Sequence, residues 1–184
     1  ARCLIAVPPD ARRAMNTFLG ASALLDENDI DADLVKASKI VFLEGYLFDR
    51  DEAKSAFVRA AEIARAANRK VALTLSDVFC VERHRDSFRH LVKNHVDILF
   101  ANEAELKSLY ETEDFEAALA RVASETKVAA VTRSEKGAVI TRGSEMVEVP
   151  AEPVEKVLDT TGAGDLFAAG FLTGFARDAD LETC

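Results

Sequence analysis

The chain is poor in cysteine. Cys3, Cys80 and Cys184 are its only three in 184 residues, scattered and without a CxxC pair. Such a set supports neither a disulfide framework nor a zinc site, so reduced thiols are expected. Long apolar runs are also absent, and none approaches the roughly 20 residues that span a bilayer. The opening ARCLIAVPPD lacks the apolar stretch and small-residue cleavage site of a signal peptide. Positive charge is in deficit, with 23 Lys and Arg against 32 Asp and Glu, a net charge of -9. That balance repels a polyphosphate backbone and argues against nucleic acid as a partner. No low-complexity linker or internal repeat breaks the chain. With 49% of residues hydrophobic, one sizeable core in a single domain over 1–184 is expected. The expected setting is a soluble, cytoplasmic protein. Both ends look cut: RCLIAV reads as a strand entered without a preceding Met, and DADLETC stops with helical composition still running. The expectation is a fragment of a larger protein.

What the chain has is alternation. KIVFLEG, VALTLS, VDILFA and KVAAVT are short apolar runs. The first three are each followed by amphipathic stretches, DEAKSAFVRAAEIARAAN, ERHRDSFRHLVKNH, and NEAELKSLY with DFEAALARVASE. Strands apolar throughout, joined by helices, imply a mostly parallel sheet covered on both faces. In the first helix Ala53, Ala56, Phe57, Ala60, Ala61, Ala64 and Ala67 recur at spacings of three and four, a small-residue face for close packing on a sheet. GAVITR and EMVEVP around Gly143 and Ser144 predict a β-hairpin. Ligands of open parallel sheets bind beyond the carboxyl ends of the strands. The polar residues there are Glu44 and Tyr46, Ser76 and Asp77, Asn102 and Glu105, and Thr132 and Arg133.

The stretch DTTGAGDLFAAG, residues 159–170, carries the sharpest chemical signal. Gly162 and Gly164 flank Ala163 where a loop turns into a helix expected to be largely buried through Leu166, Phe167, Phe171, Leu172 and Phe175. Backbone N–H groups converging there, with the helix dipole, make an anion site. Asp165 beside that site is costly against an anion, which suggests a chemical task. A dinucleotide fingerprint would need a glycine where Phe167 stands, and a P-loop would need a Gly-Lys pair that does not follow Gly162. The plainer alternative is a glycine-rich entry to a buried helix, with Asp165 merely favouring the dipole.

DTTGAGD followed by an apolar helix resembles the second signature of the ribokinase-like, or PfkB, family of sugar and nucleoside kinases. ANEAEL, 101–106, resembles that family's N-x-x-E motif, and VTRSEKG, 131–137, its T-x-G-x-x-G nucleotide segment. The order of motifs matches over essentially the whole chain. The resemblance implies a ribokinase-like α/β fold and transfer of the γ-phosphate of ATP to a hydroxyl of a sugar or nucleoside. It makes Asp165 the catalytic base and the backbone of Gly162, Ala163 and Gly164 the anion hole. It assigns Asn102 and Glu105 to magnesium and phosphates, largely through water, and Thr132, Ser134 and Gly137 to the border of the nucleotide. Ser134 stands where the family usually has glycine. Asp159 and Thr161 match positions near which family members hold a monovalent cation such as K+. The implied partner is a small-molecule sugar or nucleoside, with a homodimer left open and no nucleic acid or membrane. The resemblance also puts the first signature, the lid and the main substrate carboxylate in a portion preceding residue 1, so the acceptor is not readable here.

Structural readings stand beside these. Asn102 and Glu105 also have the N-cap and N3 spacing of a capping box, and an ordinary turn explains Asp159 and Thr161 nearly as well. His84, His90 and His95 sit among arginines and fit a solvated helix face, and Cys80 fits a buried thiol. MNTFLGAS, 15–22, resembles a segment near the substrate or lid region of bacterial adenosine and sugar kinases. A nucleotide-binding regulatory domain without turnover is the rival function, against which Asp165 itself argues.

Overall fold

In the computed structural model, residues 1–9 and 13–184 are described. Strands β1 (Arg2–Ala6) and β2 (Ala14–Phe18) form a separate antiparallel pair with every residue exposed. After helix α1 (Ala32–Ala37) comes the main sheet, whose strands are β3 (Ile40–Glu44), β4 (Lys70–Thr74), β5 (Ile98–Asn102), β6 (Val128–Thr132), β7 (Ala138–Arg142) and β8 (Glu145–Val149). They lie side by side in chain order, the first four parallel and the last two antiparallel.

The apolar runs fill both sides of this sheet. Along β4, Val71 and Leu73 belong to one core cluster while Ala72, between them, belongs to the other. Three right-handed crossovers running in one direction put their helices on a single face. These are α2 (Asp51–Ala66), α3 (Val78–Asn94), and the pair α4 (Glu103–Tyr110) and α5 (Phe115–Glu125), all in the larger cluster. On α2, Ala53, Ala56, Ala60, Ala61 and Ala64 are buried, as their spacing predicts. Phe48 stacks on Phe88 with ring centroids 4.7 Å apart.

The opposite face is covered by α6 (Ala163–Phe175), whose Phe171 meets Phe100 edge-on at 5.5 Å. The sequence predicts a largely buried α6, but only Ala168 and Phe171 of it are buried, and Leu166 is 75% exposed. One side of the helix lies on the sheet and the other faces outward. The expected hairpin is present, with Gly143 giving a positive φ of 59° at its turn. Among the described residues no helix is long and apolar enough to cross a membrane.

The three histidines do not share a solvated face. α3 departs from helical geometry at His84, whose Nε2 lies 2.9 Å from Asp49 Oδ1 with the side chain 15% exposed. His95, partly buried, ends that helix, and His90 alone is exposed.

Candidate active site

The register of the parallel strands aligns their carboxyl ends. Glu44 pairs with Thr74, Thr74 with Phe100, Phe100 with Ala130, and Asn102 with Thr132. Glu44, Asn102 and Thr132 therefore sit on one edge, although they lie far apart in sequence. The glycine-rich loop arrives at the same edge from the other face of the sheet. Its link is electrostatic: the carboxyl of Glu44 is held above the ordinary range first by partial burial and then by the charge of Asp165.

Gly162 caps α6 with a positive φ of 76°, a backbone state that glycine adopts without strain. The Ala163 N–H turns back to the Thr160 carbonyl at 3.2 Å, and the Leu166 N–H begins the helix on the Gly162 carbonyl at 2.9 Å. Between them, the N–H groups of Gly164 and Asp165 have no acceptor among the described residues. A Cβ built on Gly164 meets nothing within 4 Å, so this turn opens to solvent. Two free amides, a positive helix end and open space suit an anion. Asp165 is exposed beside them. Arg13, just before β2, donates to Thr160 Oγ1 at 2.6 Å and adds a positive charge to the loop across 147 positions of sequence.

Asn102 and Glu105 form the capping box their spacing predicts. The Glu105 N–H donates to Asn102 Oδ1 at 2.8 Å. In return, Asn102 donates its backbone N–H to Glu105 Oε2 at 2.9 Å and its Nδ2 to Oε1 at 2.7 Å. Both Glu105 oxygens are thus engaged, and the residue is 6% exposed. Burial pushes its carboxyl up to about 7, against the lowering effect of the Asn102 N–H and with a further rise from Asp77. Tyr46 faces the same acidic group, its hydroxyl pushed up to about 12 first by burial and then by Asp77.

Past β6, residues 133–137 make a tight turn in which the Arg133 N–H donates to the Gly137 carbonyl at 2.7 Å. Ser134 keeps a left-handed φ of 53°, the backbone state that glycine, usual there in the family, adopts most readily. Gly137 has a φ of 87°, and a Cβ on it would lie 2.0 Å from the Val149 carbonyl oxygen. The turn is anchored by Arg133, which donates to Glu103 Oε2 at 3.0 Å and lies 4.0 Å over the Phe115 ring. Asp159 Oδ1 accepts from both the Thr161 N–H, at 2.8 Å, and the Thr161 hydroxyl, at 2.7 Å. An ordinary turn accounts for that pair.

The sequence-predicted residues fall into three groups on the strand-end side of the molecule: the 159–165 loop, the Asn102–Glu105 box and the 132–137 turn. Two contributors escape sequence analysis. Arg13 reaches Thr160 through tertiary structure alone. Gly45 follows the apolar run IVFLE directly, and its position there is the one local signal: a Cβ on it would lie 2.7 Å from the Leu75 carbonyl oxygen. Among the described residues no three His, Cys, Asp or Glu side chains gather to hold a metal.

Known proteins similar to this chain are kinases of nucleosides and sugars. An adenosine kinase of Sinorhizobium meliloti superposes on the whole chain with a TM-score of 0.96 and 51% identity, this chain covering 56% of its length. A probable sugar kinase of Rhizobium etli gives 0.94 and 49% over 98% of this chain and 55% of that one. A cytidine kinase of Thermococcus kodakarensis is 41% identical over 106 residues, 55% of this chain and 37% of that protein. The adenosine kinase of Saccharomyces cerevisiae is 28% identical over 191 residues, 93% of this chain and 54% of that protein. The chain spans about half the length of the curated relatives it matches, or less. A family model described as pfkB family carbohydrate kinase matches residues 1–184, and with the glycine-rich loop, the capping box and the 133–137 turn set on one sheet edge, the chain belongs to the pfkB family of carbohydrate kinases.

Proposed function

We propose that the protein is an ATP-dependent kinase that phosphorylates a hydroxyl of a sugar or nucleoside, with its phosphoryl-transfer chemistry at the start of α6. The observation that carries this is the pair of unsatisfied amides at Gly164 and Asp165, open to solvent, with a carboxylate on the same turn. The N3 carboxylate of a capping box bonds back to the N-cap N–H, as Glu105 does at α4, and Asp165, also at N3, makes no such bond to Gly162. Asp165 caps nothing among the described residues, which leaves its oxygens available.

In this mechanism Asp165 accepts the proton of the substrate hydroxyl while that oxygen bonds to the γ-phosphorus of ATP and the bond to the β-γ bridging oxygen breaks. The free amides of Gly164 and Asp165 hydrogen-bond the phosphoryl oxygens, while Gly162 and Ala163, whose N–H closes on the Thr160 carbonyl, supply the turn that aims them. Thr132, Ser134 and Gly137 border the nucleotide, and Arg13 adds a positive charge to the loop.

Magnesium fits this site as an ion carried by the phosphates, since Asn102 already occupies both Glu105 oxygens and no protein cage surrounds them. Glu105 would hold it through water, and the ion would supply neutralisation of phosphate charge. For K+ the Asp159–Thr161 turn would offer backbone carbonyls, Asp159 Oδ1 and the Thr161 hydroxyl being already bonded to each other. Soluble cytoplasmic residence and binding of a small-molecule sugar or nucleoside complete the proposal.

The test is Asp165→Asn in the intact protein, which keeps the side-chain shape but cannot accept the proton. Turnover should fall by about 10² to 10⁴ while ATP affinity stays level or rises. Retention of more than about a tenth of the rate, less than general-base catalysis supplies, would remove Asp165 as the base.

A further inference from the structure

At the opposite edge of the sheet, where the parallel strands begin, lies a cleft of about 420 Å³. The start of β4 and the residues before β5 and β6 form its floor, and the carboxyl ends of α2, α3 and α5 form its walls. A protein of net charge -9 concentrates five cationic side chains here, Arg65, Arg69, Lys70, Lys93 and Lys127. The two carboxylates of the cleft are already engaged. Asp97 accepts from the Val71 N–H at 3.0 Å and from Lys127 at 2.6 Å. Glu125 takes a bidentate pair of bonds from Arg89, both at 2.7 Å, and a third from the Tyr110 hydroxyl.

Part of the positive charge serves the helix ends. Arg65 bonds the Asn94 carbonyl at the end of α3, and Arg69 Nε donates to the Lys36 carbonyl in α1 at 2.8 Å. Each arginine is thereby held in place with further N–H groups to spare. Lys70 and Lys93 enter no ion pair among the described residues. In the same wall His95 Nδ1 is buried without a hydrogen-bond partner among the described residues. The loop is rigidly set: Asn68 takes the left-handed φ of 57° and the Arg69 N–H closes on the Ala64 carbonyl at 2.7 Å.

We propose that this cleft is a second anion site, separate from the phosphoryl-transfer edge, that binds the phosphate group of a small phosphorylated metabolite. Arginine forks and lysine ammonium groups around a recess are the chemistry that recognises a phosphomonoester. The volume admits a ligand body beyond the phosphate. Five β-strand residues separate the two edges, a distance of about 17 Å, so one phosphate cannot serve both.

The proposal is tested on the intact protein with its ATP site filled by magnesium and a non-hydrolysable ATP analogue. Inorganic phosphate and glycerol phosphate are titrated by calorimetry, with the His95 ring followed by NMR. Saturable binding is expected with a Kd of about 1 mM or tighter, stronger for the ester, with a shift of the His95 signal. Lys70→Glu with Lys93→Glu should weaken it at least tenfold. Lys70→Gln with Lys93→Gln, less disruptive, should weaken it by a smaller factor and serves if the charge reversal unfolds the chain. Absence of saturable binding, equal binding by both double variants and wild type, or an unmoved His95 signal overturns the proposal. Its failure leaves the Asp165 experiment untouched, because the ATP site is occupied throughout.

Discussion

Glu105 shows how one side chain is placed between two roles. Its hydrogen bonds are those of a capping box, yet its burial is unusual for a cap, and burial raises its carboxyl to about 7. A carboxyl raised on folding favours the native state in its protonated form. Its contribution is therefore fully present below the unfolded value near 4.5 and is lost as pH climbs through about 7. The difference amounts to about 3 kcal/mol, at 1.36 kcal/mol for each pH unit. Glu105→Gln is nearly isosteric with the protonated acid but cannot ionise. In nucleotide-free, magnesium-free protein, wild type should lose stability relative to the variant by up to about 3 kcal/mol between pH 5 and pH 8. Denaturant unfolding across that range measures it, and a constant gap between the two would show that the carboxyl titrates normally. On the proposed role of Glu105 toward magnesium, the variant with ATP present should also need more of the ion for half-maximal rate, since the group would lose its charge.

Three strands, β6, β7 and β8, meet at Gly137 in the 133–137 turn. Its Cβ position falls on the backbone of Val149, Pro150 and Ala151, and its φ of 87° is one that other residues adopt only under strain. Gly137→Ala should therefore destabilise by about 1–3 kcal/mol or more and disturb the 133–137 turn, seen as a lower melting temperature with weakened ATP binding. Ser134→Gly should do the reverse locally, relieving the left-handed serine at φ 53°, with a net change within about 1 kcal/mol because glycine also loosens the unfolded chain. A Gly137→Ala variant of unchanged melting temperature would mean that β8 moves aside easily. These elements also show what sequence can convey. Strands and helices were legible because apolar period survives in local sequence, and so were the hairpin and the three motif segments. Packing was not: α6 buries only one side, and α3 departs from helical geometry at His84, whose hydrogen-bond partner Asp49 lies 35 positions away. The same holds for the site. The Asn102–Glu105 box is encoded by spacing alone, whereas Arg13 on Thr160 and the left-handed Ser134 follow from tertiary contact and backbone geometry that no local pattern carries.

Across the whole molecule, stability and the proposed chemistry are divided between the two faces of the sheet. Four helices and the larger core lock one face, and β5 is buried along Ile98–Ala101 between two parallel neighbours. The other face is held by one helix with two buried residues, and that helix starts with unsatisfied amides. Amides of β4 to β6 should exchange hydrogen only through global unfolding, while those of Gly164 and Asp165 should exchange almost freely without ligand. Binding ATP to a chain of net charge -9 looks unfavourable, but at physiological ionic strength charges farther than about 8 Å are largely screened. The local amides, Arg13 and the magnesium carried by the nucleotide then decide the outcome. At a ligand concentration about 100 times its Kd, the bound state gains about 2.7 kcal/mol over any opening that releases the ligand, so exchange in 160–168 should slow by about 100-fold. Hydrogen exchange read by mass spectrometry, with and without magnesium and a non-hydrolysable ATP analogue, measures this. The strands should show little change, and so should the cleft segments 65–70 and 93–97, which face the other edge of the sheet. Protection that appears in the cleft and not in 160–168 would move the nucleotide's phosphates to the wrong end of the molecule, and the start of α6 would lose its place as the site of phosphoryl transfer.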